Sequence, residues 1–175
     1  QDAKAGIYAS EVVISHNGSG ELVLPFTLEV QKYGLDSPDK WMYHLDLWQH
    51  PTSVARAEGL ELWSDAHFEA LRRNMTLLAN AGQKVVTATL NKDPWNHQCY
   101  DSYEPMIKWT LKGDGEWMYD YTIFDRWVEM MISLGIDKMI NCYSMVPWNC
   151  ELEYFDESKG EVVTVNAEPG TPEFV

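Results

Sequence analysis

Apolar and polar positions change their rhythm twice along this chain. Residues 7–14 and 21–30 are short runs rich in β-branched and aromatic side chains, and Asn17-Gly18-Ser19-Gly20 lies between them. That arrangement predicts a β-hairpin. A lone hairpin is marginal in water, so this one must pack on something. Pro25 points to an edge position or a bulge. Residues 31–40, with Gly34, Asp36, Pro38 and Asp39, read as a connector and a domain boundary.

From Trp41 the pattern alternates between strand and helix. Trp41–Trp48 reads as a first strand. Phe68, Leu71, Met75 and Leu78 recur at spacings of three and four, which predicts a helix from about Asp65 to Ala81. Ser64 is its expected N-cap and Gly82 its stop. Residues 85–90 are apolar on both faces, as in a buried parallel strand. Asn91 to about Tyr121 reads as one long loop, with a turn at Lys112-Gly113-Asp114-Gly115-Glu116. Phe124, Trp127, Val128, Met131 and Ile132 mark a second helix over about 123–134. Thr122 is its candidate N-cap, and Asp125 stands at the capping-box position. Residues 138–144 form a third strand. Residues 151–155 and 161–165 form a second hairpin, turning at Asp156-Glu157-Ser158-Lys159-Gly160. The order βαβαβ predicts a parallel α/β protein.

Composition narrows the function. The chain has 175 residues, and its net charge of −14 argues against nucleic acid or an anionic membrane surface as partner. A neutral glycan remains compatible, and the charge also serves solubility. No apolar stretch is long enough to span a bilayer, and no signal peptide is visible. The three cysteines, Cys99, Cys142 and Cys150, form no Cys-x-x-Cys. A disulfide between Cys99 and Cys150 stays open, because both follow Pro-Trp-Asn. Cys142 lies in an apolar run, as a small buried hydrophobe does.

Candidate chemistry gathers where strands end. Pro94-Trp95-Asn96 and Pro147-Trp148-Asn149 each follow an apolar run, and Trp48-Gln49-His50 closes the first strand. Ligands of α/β sheets and barrels bind at the carboxyl ends of strands. Flat rings beside amides, carboxylates and histidine suit a sugar, which has an apolar face and a rim of hydroxyls. Trp48, Trp95 and Trp148 are therefore candidate stacking rings, with plugging the top of a core as the alternative. His50, Asn91, Asp93 and Asn96 are candidate hydrogen-bonding groups, although Asn and Asp also cap loops. Tyr143 and Gln49 are candidates for the rim. Asp46, between Leu45 and Leu47, is expected to face the interior and need a partner. His97 and Cys99 lack a third metal ligand nearby, and His67 reads as structural. Neither a metal nor a cofactor is called for.

Several segments together resemble one family. They are Leu45-Asp46-Leu47-Trp48, Trp63-Ser64-Asp65-Ala66-His67-Phe68, Ala81-Gly82-Gln83-Lys84, Asp93-Pro94-Trp95, Met106-Ile107-Lys108-Trp109, Asp114-Gly115-Glu116-Trp117, Phe124-Asp125-Arg126 and Cys142-Tyr143-Ser144-Met145-Val146-Pro147-Trp148. In consistent order over roughly residues 41–172, they resemble glycoside hydrolase family 123, whose characterised members are β-N-acetylgalactosaminidases. The resemblance implies an α/β fold that is the first part of a TIM-like (β/α)8 barrel. It implies that residues 1–40 are the end of a β-sandwich domain and a linker. Residues 41–175 would hold the first three βα units, with a hairpin inserted at 151–165. It also implies a retaining, substrate-assisted mechanism on terminal β-linked N-acetylhexosamine, in a bacterial-type enzyme that works outside the cell or in the periplasm. In the family an Asp-Glu pair ends the next barrel strand, so the span is expected to supply substrate-binding loops without the catalytic pair. Asp156-Glu157 matches the family's hairpin turn and not that pair. The competing readings are a non-catalytic glycan-binding protein and a structural half-barrel, which would self-associate or pair with its missing half.

Overall fold

The computed structural model describes residues 3–18 and 20–174. Ser19 of the first turn lies outside them. The chain divides into two compact units, Gln1–Lys40 and Trp41–Val175.

In the first unit, β1 (Gly6–Ser15) pairs antiparallel with β2 (Glu21–Val30) in unbroken register from Gly6↔Val30 to Ser15↔Glu21. Pro25 sits opposite Glu11 without a bulge. In a two-stranded ribbon both strands are edges, which is where proline is tolerated.

In the second unit, the expected strand at Trp41–Trp48 is not a strand. Residues 44–49 carry no strand and are tied to residues 83–87, at the start of β3 (Val85–Thr89), mostly through side chains. Gln49 accepts from Thr87 N–H at 2.7 Å and donates to the Val85 carbonyl at 3.2 Å. Gln83 accepts from Leu47 N–H at 2.9 Å and donates to the Leu47 and Val85 carbonyls at 3.1 and 2.7 Å. An amide side chain carries the same donor and acceptor as a peptide group, so it can occupy ladder positions. Among the described residues one direct backbone bond joins them, Lys84 N–H to Leu45 O at 3.0 Å.

A short helix that the pattern does not announce follows, α1 (Pro51–Glu58), with Pro51 in its first turn. Its sequence has no apolar stripe, so periodicity is silent there. The next helix, α2 (Asp65–Asn80), starts as expected, with Ser64 Oγ accepting from His67 N–H at 3.2 Å. After it, β3 is buried along its whole length. The segment read as one long loop contains β4 (Lys108–Leu111) and β5 (Trp117–Asp120), an antiparallel pair around the 112–116 turn.

The third helix, α3 (Thr122–Ser133), corrects the expected cap. The N-cap is Tyr121, and the oxygen comes from Asp120, which accepts from Thr122 N–H at 2.9 Å and its hydroxyl at 2.6 Å. Those bonds hold the Asp120 carboxyl below its ordinary range. Glycine at 82 and 135, with φ of 89° and 90°, turns the chain out of α2 and α3. Then β6 (Met139–Tyr143) lies parallel to β3, from Val85↔Met139 to Thr89↔Tyr143. The second hairpin, β7 (Glu151–Asp156) and β8 (Glu161–Asn166), does not stand alone. It joins the first pair through β4 and β7 in a sheet of order β5-β4-β7-β8.

The core lies between α2, α3 and β3. Phe68, Leu71, Met75, Val86, Ala88, Trp127, Met131 and Ile136 form it. Trp127 is fully buried and donates its indole hydrogen to Thr87 O at 3.0 Å, so its one polar atom is satisfied. Replacing it with alanine costs about 3–5 kcal/mol.

Candidate active-site face

The carboxyl ends of β3 and β6 carry the expected aromatic residues, and four of the candidates meet there. Trp48 stacks on Trp95 with centroids 5.0 Å apart and planes 26° from parallel. Tyr143 packs on both, at 5.3 Å from Trp48 and 4.7 Å from Trp95. Tyr103 meets Trp95 edge-on at 4.5 Å and stacks on His50 at 3.6 Å. The rings differ in access: Trp95 is 6% exposed and Trp48 52%. Trp95 is thus the buried backing and Trp48 the ring that offers a face. Burial drives the Tyr103 phenol up to about 12, so it stays protonated as a packing group.

The polar candidates fall into different jobs. Asp93 is buried, takes a left-handed φ of 45°, and accepts from Tyr103 N–H at 2.8 Å. Its other oxygen lies 2.5 Å from His97 Nδ1. Asp93 therefore closes the 93–103 loop, and His97 pairs with it and not with Cys99. Asn96 is exposed at that loop's tip, with φ of 56°. His50 Nε2 bonds the Asp101 carbonyl at 3.0 Å. A carbonyl only accepts, so Nε2 carries the hydrogen. Asp101 in turn holds Ser53 at 2.9 Å and Arg56 at 2.6 Å, tying α1 to the loop. The Arg56 hydrogen bond is the largest influence keeping the Asp101 carboxyl low. Trp148 is 65% exposed, and its N–H donates to Pro94 O at 3.0 Å, joining the two Pro-Trp-Asn loops. Gln49 is buried under this face as a backbone surrogate. Asp46 accepts from Asn141 Nδ2 at 3.1 Å, while its Oδ1 is buried without a partner among the described residues. All three cysteines are free, Cys142 among the exposed ones.

Asn91 donates to the Ser144 carbonyl and lines a separate cavity of about 540 Å³. That cavity also takes Trp109, Trp117, Tyr119 and Tyr154 from the four-stranded sheet. None of these four was among the candidate residues. The signal was present, because Trp109-x-Leu111 and Trp117-x-Tyr119 alternate around the 112–116 turn, as hairpin strands do.

A family model, the glycoside hydrolase 123 catalytic domain, matches residues 48–175. The chain belongs to glycoside hydrolase family 123. A solved structure of a family 123 glycoside hydrolase from Clostridium perfringens, concerned with glycolipid glycan hydrolysis, matches at 33% identity and a TM-score of 0.83. The match covers 99% of this chain and 31% of that one, so the chain spans about a third of its length. A search of curated proteins finds no match. The chain is thus a mixed α/β member of family 123. Its hairpin turn is occupied structurally. Asp156 Oδ1 accepts from Ser158 N–H and hydroxyl at 3.0 and 2.6 Å, and Glu157 accepts from Gly113 N–H at 3.1 Å. The Ser158 bond leads the influences that take Asp156 down to about 2.

Proposed function

We propose that the enzyme containing this chain removes terminal β-linked N-acetylhexosamine, with N-acetylgalactosamine as the first candidate sugar and a glycolipid glycan as the first candidate source. The 2-acetamido oxygen of the sugar attacks its own anomeric carbon while the glycosidic bond breaks. An Asp orients the acetamido group, and a neighbouring Glu protonates the leaving oxygen and then serves as base for water. Two inverting or nucleophilic carboxylates are not needed in such a scheme. The chain's part is the binding wall. The 44–49 segment takes the place of the first strand of a (β/α)8 barrel and β3 and β6 are the next two, and their ends present Trp48, Trp95, Tyr143 and Trp148 to the sugar.

The observation that carries this reading is Trp48, an exposed ring held by stacking on a buried one at strand ends, in a chain of this family. The commitment of Asp156 and Glu157 to a turn supports placing the acid–base pair outside residues 41–174. The test is turnover of nitrophenyl N-acetyl-β-galactosaminide and its glucosaminide epimer by the full-length enzyme. Release of N-acetylgalactosamine with retained configuration is expected. Absence of turnover on both would replace the hydrolase reading with a non-catalytic glycan-binding one.

A further inference from the structure

The four-stranded sheet turns one face of aromatic rings toward the 540 Å³ cavity. Register puts them there. Trp109 pairs with Tyr119 and Leu111 with Trp117, while Thr110↔Phe155 sets Trp109 level with Tyr154. Alternation along each strand then brings Trp117, Tyr119, Trp109 and Tyr154 to the same side. Trp117 and Tyr119 lie 6° from parallel, and Trp109 stands edge-on to both. Tyr154 meets Trp117 edge-on at 5.0 Å. Trp109 is fixed by donating to Leu90 O at 2.9 Å. The polar hydrogens of Trp117, Tyr119 and Tyr154 donate to no acceptor among the described residues, and Trp117 and Tyr119 are 44% and 41% exposed.

The cavity also has a polar part to its lining. Asn91 and Glu153 line it, and the Lys92 ammonium lies 3.3 Å from the Glu153 carboxylate. The carboxylate and the ammonium offset each other, so the wall is polar without a strong net charge. A volume in the range of small-ligand sites, aromatic faces and a few convergent polar groups define a binding site. The offset charge selects a neutral occupant. Flat rings with unspent donors at their edges match a pyranose, whose C–H face stacks and whose hydroxyls bond the rim.

We propose that this cleft is a second saccharide subsite, which binds an inner pyranose of the glycan while Trp48 meets the terminal one. The enzyme is thereby selective for oligosaccharides over simple glycosides. The assignment of substrate rests on the hydrolase reading, but binding can be measured without hydrolysis. The test compares wild type with Trp117→Ala and with Tyr154→Phe, which deletes only a hydroxyl. Rates are taken on a trisaccharide ending in β-linked N-acetylgalactosamine and on the nitrophenyl monosaccharide. Calorimetry uses the thio-linked trisaccharide and the matching methyl glycoside.

The ratio of kcat/KM for trisaccharide over monosaccharide should fall at least about tenfold in Trp117→Ala and a few-fold in Tyr154→Phe. Equal losses on both substrates in both variants would overturn the subsite. If the wild type hydrolyses neither, the functional reading fails and calorimetry decides. Tighter binding of the trisaccharide than of the methyl glycoside, weakened in both variants, supports the subsite. Equal binding of the two ligands overturns it.

Discussion

His67 shows how one buried ring reports on pH. It has no solvent exposure, and both its nitrogens are committed. Trp63 N–H donates to Nδ1 at 3.0 Å, so Nδ1 is bare and Nε2–H donates to Pro51 O at 3.0 Å. The same bond steadies Trp63 in a left-handed φ of 63° that a tryptophan rarely adopts. Burial is the main cause holding the His67 pKa below its ordinary 6.5. Above pH 6.5 neither the folded nor the unfolded chain is protonated there, and stability is unaffected. As pH falls below 6.5 the unfolded chain takes a proton that the folded one refuses. Stability then declines by up to about 1.4 kcal/mol per pH unit until the lowered folded pKa is reached. Urea unfolding between pH 7.5 and 5 should show that slope, reduced in His67→Gln. An unchanged slope in the variant would assign the pH dependence to other groups. In the proposed sugar site, Trp48 would act by ring area alone. Trp48→Ala should raise KM on the nitrophenyl substrate about tenfold with little change in kcat, as expected where binding is lost equally from ground and transition states. A fall in kcat at constant KM would contradict a stacking role.

At the scale of elements, the two glutamines decide whether the 44–49 segment stays beside β3. Gln49 is 2% exposed and meets an N–H and a C=O of β3 at once. Gln49→Ala leaves the buried Thr87 N–H without its partner, while the Val85 carbonyl keeps its bond from Gln83, and should cost about 1–3 kcal/mol. Gln49→Glu keeps the acceptor for Thr87 but sets an oxygen against the Val85 carbonyl, so it should destabilise nearly as much above pH 7 and recover in acid. Thermal unfolding at two pH values separates these outcomes, and a glutamate variant as stable as wild type at pH 8 would show that the amide donor is idle. This bridge explains what the sequence concealed. The segment 41–48 reads as a strand because alternation reports which side chains are buried, not which atoms make the bonds. By contrast α2, α3 and β3 were legible within a residue or two, because each has an apolar face against one core, and β6 was legible because its short apolar run lies between Gly135 and Ser144. The helix α1 was not, since eight residues without a stripe are held by Pro51, Gly59 and the Asp101 contacts. The site divides along the same line. Trp48, Trp95 and Tyr143 could be singled out because they follow apolar runs, and the structure brings their rings together. The Trp109–Tyr154 cleft depends on β4 pairing with β7 across more than forty residues, and no local pattern states that.

For the whole molecule, the question is what the open surfaces do. Among the described residues β6 has a ladder partner on one side only, β3, and Met139 and Ile140 on it are exposed. An unpaired edge with apolar side chains is a template for another chain. In the barrel proposed here the next strand would take that edge. Expressed alone, residues 1–175 lack that partner and should associate. The acidic surface opposes this. With a net charge of −14, repulsion is strongest at low salt, and screening at 0.15 M reduces it over distances beyond about 8 Å. Association should therefore increase with ionic strength, in contrast to an assembly held by ion pairs. Light scattering on the eluted protein at 20 and 300 mM salt measures this directly. Ile140→Lys places a charge on the edge strand and should shift the population toward monomer at both salts. Ile140 is not in the buried core, so the substitution should leave the melting of α2, α3 and β3 nearly unchanged. A wild-type chain that elutes as a sharp monomer at high salt would mean that its exposed strand edge is protected within residues 1–175.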